Sequence, residues 1–77
     1  MRQFHINIRS FRQVRDFVAL AMVQPFEVLV GNDKQQVNAK GYMGMLALDF
    51  HRPLQVSVRC NDEEFGKFQQ ETAKIFA

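Results

Sequence analysis

The hydrophobic residues of this chain change their spacing several times along its length, and this change constrains the fold more than any other feature. Segments in which apolar and polar residues alternate lie at positions 4–8, 26–30, 37–39 and 54–60. An alternation of period two is typical of a strand with one buried face. The apolar residues of 14–21 and 65–76 instead recur at three- and four-residue intervals, which is typical of an amphipathic helix.

Several residues indicate where these elements begin and end. Ser10 precedes the first helical segment with Gln13 three positions on, which is the spacing of a capping box, and Pro25 ends that helix. The turn residues 31–34 separate two alternating segments and predict a hairpin. Asn61 precedes the last helix, whose acidic first turn favours the positive end of the helix dipole.

The segment from Tyr42 to Leu48 predicts a short second helix of about two turns, because it is rich in Met and Leu and lacks β-branched residues. The predicted order is therefore β-α-β-β-α-β-α. Each strand has one apolar side and each helix one apolar stripe. This pattern predicts an α+β fold, a two-layer open-faced sandwich in which helices cover one face of a four-stranded antiparallel sheet. Residues 1–77 are expected to form a single domain.

Composition narrows the class of protein. A hydrophobic content of 47% excludes disorder, and the single cysteine, Cys60, excludes a disulfide scaffold. No apolar run approaches the length of a membrane span, and we see no secretory signal, so we expect a cytoplasmic protein. A chain of 77 residues has little room for a deep pocket, which favours a carrier or a surface binder over a self-contained enzyme.

The chain lacks the patterns of several other kinds of site. The residues expected on the open face of the sheet are His5, Asn7, Arg9, Gln36, Asn38 and Lys40. They form no aromatic platform, so we expect no nucleic-acid partner. No two of the residues His5, His51 and Cys60 have ligand spacing, so we predict no metal and no cofactor. Nothing singles out Ser10 or Ser57 as the nucleophile of a hydrolase with either histidine.

The stretch Val37–Leu48, with the sequence VNAKGYMGMLAL, resembles the HPr family, the small phosphocarriers of the bacterial phosphoenolpyruvate:sugar phosphotransferase system. The family motif is V-N-x-K-S-x-M-G-x-M-x-L. The matches in place are Val37, Asn38, Lys40, Met43, Gly44 and Leu48, and Leu46 stands for the second Met. The predicted element order is also that of HPr, and the resemblance covers nearly the whole chain.

This chain departs from the family at both of the family's phosphorylation sites. HPr carries its phosphoryl group on a histidine at the start of the first helix, followed by Arg and Pro. Ungapped alignment places Ser10 at the histidine, Arg12 at the arginine and Gln13 at the proline. Gly41 lies where many relatives have a regulatory serine. The resemblance therefore implies a divergent member that lacks the active-site His and the regulatory Ser.

Each candidate residue has two interpretations. Ser10 is either the cap of the first helix or a phosphate acceptor in place of the histidine. Arg12 either lies on a solvated helix face or binds an anion together with Ser10 and the helix N-terminus. His51, in a loop with Asp49 that the resemblance places near the helix start, is either a plain loop residue or a weak substitute acceptor. His5 is expected at the surface.

The resemblance also implies a docking surface for proteins, with Phe11, Arg12, Tyr42, Met43 and Leu46 as candidates. Met43 or Leu46 could instead belong to the core, and Phe11 could pack on the helix. Three hypotheses follow. The chain is a monomeric binding or regulatory protein of the phosphotransferase type, a phosphoryl acceptor that uses Ser10 or His51, or an HPr fold recruited to an unrelated partner.

Overall fold

The seven elements follow one another in the predicted order. A computed structural model describes residues 1–76. The strands are β1 (Arg2–Ile6), β2 (Val28–Gly31), β3 (Gln36–Asn38) and β4 (Leu54–Val58), and the helices are α1 (Phe11–Met22), α2 (Tyr42–Leu46) and α3 (Asp62–Phe76). Within residues 1–76, no helix is both long and apolar enough to cross a bilayer.

The strands form one antiparallel sheet in the order β1-β4-β2-β3. Val56, in the middle of β4, faces Phe4 of β1 on one side and Val30 of β2 on the other. The helices α1 and α3 pack against each other, and α2 packs against α1 and β3. The predicted two-layer open-faced sandwich is therefore confirmed.

The core between sheet and helices is built around phenylalanine. Phe68 of α3 is 1% exposed, and its ring centroid lies 5.6–6.1 Å from those of Phe4, Phe17 and Phe26. Phe17 also lies 5.8 Å from Phe76. Pairs of aromatic rings at these separations stabilise the fold beyond what the burial of their area contributes. Phe68 therefore ties α3 to α1, to an edge strand and to the segment before β2.

Two residues differ from the predicted pattern on the sheet. Ser57 is one of the polar residues in the alternating segment 54–60, which predicts it on the solvated face, but it is 1% exposed because it lies on an inner strand between Gln3 and Leu29. Lys40 was expected to project into solvent, but it is half-buried, and its Nζ donates to the carbonyl oxygen of Gln24 at 2.9 Å. The lysine of the V-N-x-K motif thus anchors the segment that follows α1.

The second helix is shorter than predicted. It ends at Leu46, whereas the sequence predicts helix to Leu48. The amide of Leu48 donates to the carbonyl of Met45 at 3.2 Å, a bond between residues three positions apart that tightens the last turn. Leu48 is nevertheless buried in the core, so the packing that its position predicted is present without the helix.

Candidate functional site

Ser10 is the N-cap of α1. Its backbone is extended, and its Oγ accepts a hydrogen bond from the backbone N–H of Gln13 at 3.3 Å. The side chain of Gln13 reciprocates one residue further upstream than in a regular capping box, since its Oε1 accepts from the Arg9 N–H at 2.7 Å. The predicted cap is thus present, and the Ser10 hydroxyl is engaged by the helix it begins.

The first turn of α1 has the features of an anion-binding helix start. The turn contains no acidic residue, and the side chain of Arg12 is exposed. Among the described residues, Arg12 has no ion-pair partner, and the amides of Phe11 and Arg12 have no acceptor. Amide groups and an arginine at the positive end of a helix are a suitable arrangement for an anion.

An aromatic contact connects the start of α1 to the loop that follows α2. The rings of Phe11 and Phe50 lie edge to face with centroids 5.6 Å apart. Phe50 in turn stacks on the imidazole of His51 at 6.3 Å, with the two planes within 8° of parallel. The loop containing His51 therefore lies beside the start of α1.

His51 and Asp49 form a hydrogen-bonded pair within this loop. Asp49 Oδ1 lies 2.9 Å from His51 Nδ1, and it also accepts the His51 backbone N–H at 3.1 Å. These two bonds lower the pKa of the Asp49 carboxyl below its ordinary value. The His51 side chain is 92% exposed. When Nδ1 carries the proton and donates it to the carboxylate, Nε2 is left as a lone-pair nitrogen at the surface.

The helix α2 contributes the other exposed side chains of the site. Tyr42 is 41% exposed and Met43 is 78% exposed, whereas Leu46 is half-buried against the core. Gly41 is the N-cap of α2, and no side chain caps this helix. A Cβ at Gly41 would meet only the Asn38 carbonyl oxygen, at 3.5 Å, so the fold does not require glycine here.

Other candidate residues are not brought together. No hydrogen bond or ion pair joins Ser10 or Arg12 to His51 within residues 1–76. His5 is exposed, and Ser57 is its diagonal neighbour across β1 and β4, yet the Ser57 Oγ has no hydrogen-bond partner among the described residues. A serine without a base lacks the activation that a hydrolase needs. The described residues also contain no cluster of three metal-ligating side chains.

Solved structures with the same architecture identify the fold. The HPr-C-His protein from Thermoanaerobacter tengcongensis superposes with a TM-score of 0.77 at 23% identity, covering 99% of this chain and 91% of that one. The HPr of Bacillus anthracis gives 0.73 at 19% identity, with 99% and 96% covered. The chain has the fold of HPr. The histidine-containing phosphocarrier protein of Mycoplasma is also similar, with a TM-score of 0.75 at 15% identity and 96% and 90% covered.

No protein-family model matches this chain, and no curated protein matches it in sequence. The solved structures nevertheless confirm the resemblance to HPr at the level of the fold. Sequence reasoning assigned no role to one contributor to the site, Phe50, which packs against Phe11. An aromatic residue directly beside the only loop histidine was the available signal, but its contact with Phe11 depends on the tertiary fold.

Proposed function

We propose that this chain is an HPr-like protein of the phosphotransferase or carbon-regulation type that binds protein partners and is not itself phosphorylated. We further propose that it acts in the cytoplasm as a monomer and without a cofactor. The observation that carries the proposal is the position of Ser10. Its hydroxyl caps α1 where the family has its phosphorylated histidine, and the exposed side chains beside it remain.

The chemistry of the cap argues against a carrier. A phosphohistidine is a labile phosphoramidate, which passes its phosphoryl group on, whereas a serine phosphoester is far more stable and could switch a protein but not relay the group. The Ser10 Oγ is also occupied as an acceptor for the Gln13 amide. Gly41, at the regulatory position, has no hydroxyl. Ser10 is therefore unsuited to relaying a phosphoryl group, and Gly41 cannot accept one.

The exposed side chains around α1 and α2 suit a protein partner. We call the residues Phe11, Arg12, Tyr42, Met43 and Leu46 the docking face. Phe11 is 65% exposed and Met43 is 78% exposed, and aromatic residues, methionine and arginine are enriched at protein interfaces. Burial of the surface that Phe11 and Met43 now expose would supply binding energy to a complex with a partner.

The test is a titration of the ¹⁵N-labelled protein with enzyme I of a phosphotransferase system. Amide shifts confined to 10–12 and 42–46 would support the proposal. Phe11→Ala should weaken binding about thirtyfold or more, which corresponds to the loss of about 2 kcal/mol that defines an interface hot spot. Met22→Ala is the matched control, since Met22 is 62% exposed at the other end of the same helix. Equal losses from both variants, or no binding to enzyme I, would contradict the proposal and favour an unrelated partner.

A second candidate function is phosphoryl acceptance at His51. It is favoured by the 2.9 Å contact with Asp49, which holds one ring nitrogen and leaves the other exposed. The protein would be incubated with enzyme I and labelled phosphoenolpyruvate. Label that survives Ser10→Ala and disappears in His51→Ala would establish this function and exclude the first proposal. We expect the wild-type protein to remain unlabelled.

A further inference from the structure

A groove of about 320 Å³ lies between the edge strand β1 and helix α3. Phe4 and Arg9 line it on the side of β1, and Gln69, Thr72, Ala73 and Phe76 line it from α3. The residues contributed by α3 are spaced as one face of a helix, so the groove follows the helix along its length. None of its lining residues belongs to the docking face.

One edge of β1 is unpaired. β1 is the terminal strand of the sheet, and within residues 1–76 only β4 pairs with it. In an antiparallel pair, every second residue directs its N–H and C=O groups away from the partner strand. These groups form a row that another extended chain can join.

A free strand edge beside a helix is the arrangement to which extended peptides add as a further strand. Because successive side chains of a strand point to opposite faces, every second side chain of such a peptide would lie between β1 and α3. There it would contact Phe4 and Phe76, which are both partly buried and apolar. The backbone would supply hydrogen bonds and the groove would select the side chains.

The charge at the groove distinguishes between possible occupants. Arg9 lines it, and none of its lining residues is acidic. A second copy of this chain would bring the same positive side chain to the contact, so its charge would not be complementary. An acidic segment would be complementary, and at Arg9 the exposed guanidinium is available to a carboxylate.

We propose that the groove between β1 and α3 binds an extended segment of a protein partner, with apolar side chains at alternate positions and an acidic residue next to Arg9. This site goes beyond the docking of HPr-like proteins at α1 and α2 and does not depend on it. Its amides lie in residues 2–9 and 69–76, which are separate from those of the docking face.

The probe is the peptide acetyl-Glu-Glu-Val-Thr-Phe-Thr-Val-Thr-amide, titrated into the ¹⁵N-labelled full chain. We expect amide shifts within 2–9 and 69–76 and none within 42–46. A peptide with Gln-Gln in place of Glu-Glu should bind about fivefold more weakly, as expected for the loss of an exposed ion pair. Arg9→Glu should weaken binding of the acidic peptide about tenfold, because repulsion replaces attraction.

Two further variants make the result decisive. Ala73→Lys adds a long side chain at an exposed position of α3 and should block the groove while leaving the fold intact. Lys34→Glu makes the same charge change as Arg9→Glu, but in the hairpin turn, and should leave the affinity unchanged. Shifts confined to the docking face, equal losses in both charge reversals, or β1 shifts that depend on protein concentration without peptide would overturn the proposal.

Discussion

Replacing Ser10 with alanine tests whether the hydroxyl at the start of α1 has a structural role. The substitution removes the acceptor of the Gln13 amide, which lies 3.3 Å from Oγ at an exposed position. Water can partly satisfy this amide, so the cost should lie near the centre of the range for lost caps, about 1 kcal/mol. For a domain of this size, that loss lowers the midpoint of thermal unfolding by about 4–8 °C.

The assay is thermal and urea unfolding followed by far-ultraviolet circular dichroism. The urea dependence of the unfolding free energy should not change, because the substitution alters the strength of one contact and not the buried surface. Ser10→Asp retains an acceptor and adds a negative charge at the positive end of the helix, so it should match or exceed the wild-type stability.

Ser57→Ala is the opposing control. Ser57 is far more buried than Ser10, but its Oγ has no partner among the described residues. Removing a buried hydroxyl that makes no hydrogen bond should leave stability unchanged or raise it. If Ser10→Ala left the unfolding midpoint unchanged, the assignment of Ser10 as a working cap would be refuted. The acceptor hypothesis for Ser10 would then gain support.

Three further predictions follow from local geometry. Gly31→Ala would press a Cβ against the carbonyl oxygen of Gln35 in the hairpin turn and should lower the free energy of unfolding by about 1–3 kcal/mol, whereas Gly66→Ala, with nothing within 4 Å, should not lower it. The pKa of Asp49, followed by NMR, should lie below the ordinary carboxyl value of 3.8, because its hydrogen bonds to His51 lower it. The stability that this pair contributes is present above pH 3.8 and is lost as the pH falls through the lowered pKa. An NMR titration midpoint at or above pH 3.8 would contradict this. Burial raises the pKa of the Cys60 thiol above 9.0, so at pH 8 it should react with a disulfide reagent more slowly than in the urea-unfolded chain, and equal rates would count against this.

The parts of the fold that depend on local pattern could be predicted from the sequence. The spacing of Ser10 and Gln13 indicated the first cap, and their bond is present. The same reasoning identified Asn61 as the cap of α3, and its Oδ1 accepts from the Glu64 amide at 2.8 Å. Glu64 returns a bond to the Asn61 amide at 3.1 Å, a reciprocal contact that the capping-box rule could have predicted.

The parts that depend on lateral or long-range neighbours could not be predicted. Alternation placed Ser57 on the solvated face, but its burial depends on which strands flank β4, and strand order is not visible in the spacing. The contact between Phe11 and Phe50 joins residues far apart in sequence, one at a helix start and one in a loop without periodicity. For the site, the sequence predicted Ser10 at the helix start, but which side chain each exposed residue contacts depends on the assembled fold.

The position of Tyr42 makes this protein a convenient optical sensor. The chain contains one tyrosine and no tryptophan, so Tyr42 is its only strong intrinsic fluorophore in the near ultraviolet. This ring lies at the start of α2 and is 41% exposed, while the phenylalanine core is nearly silent at tyrosine excitation wavelengths. Emission from the unlabelled protein therefore reports on one spot of the docking face, and a partner that covers α2 will alter the signal without any added dye.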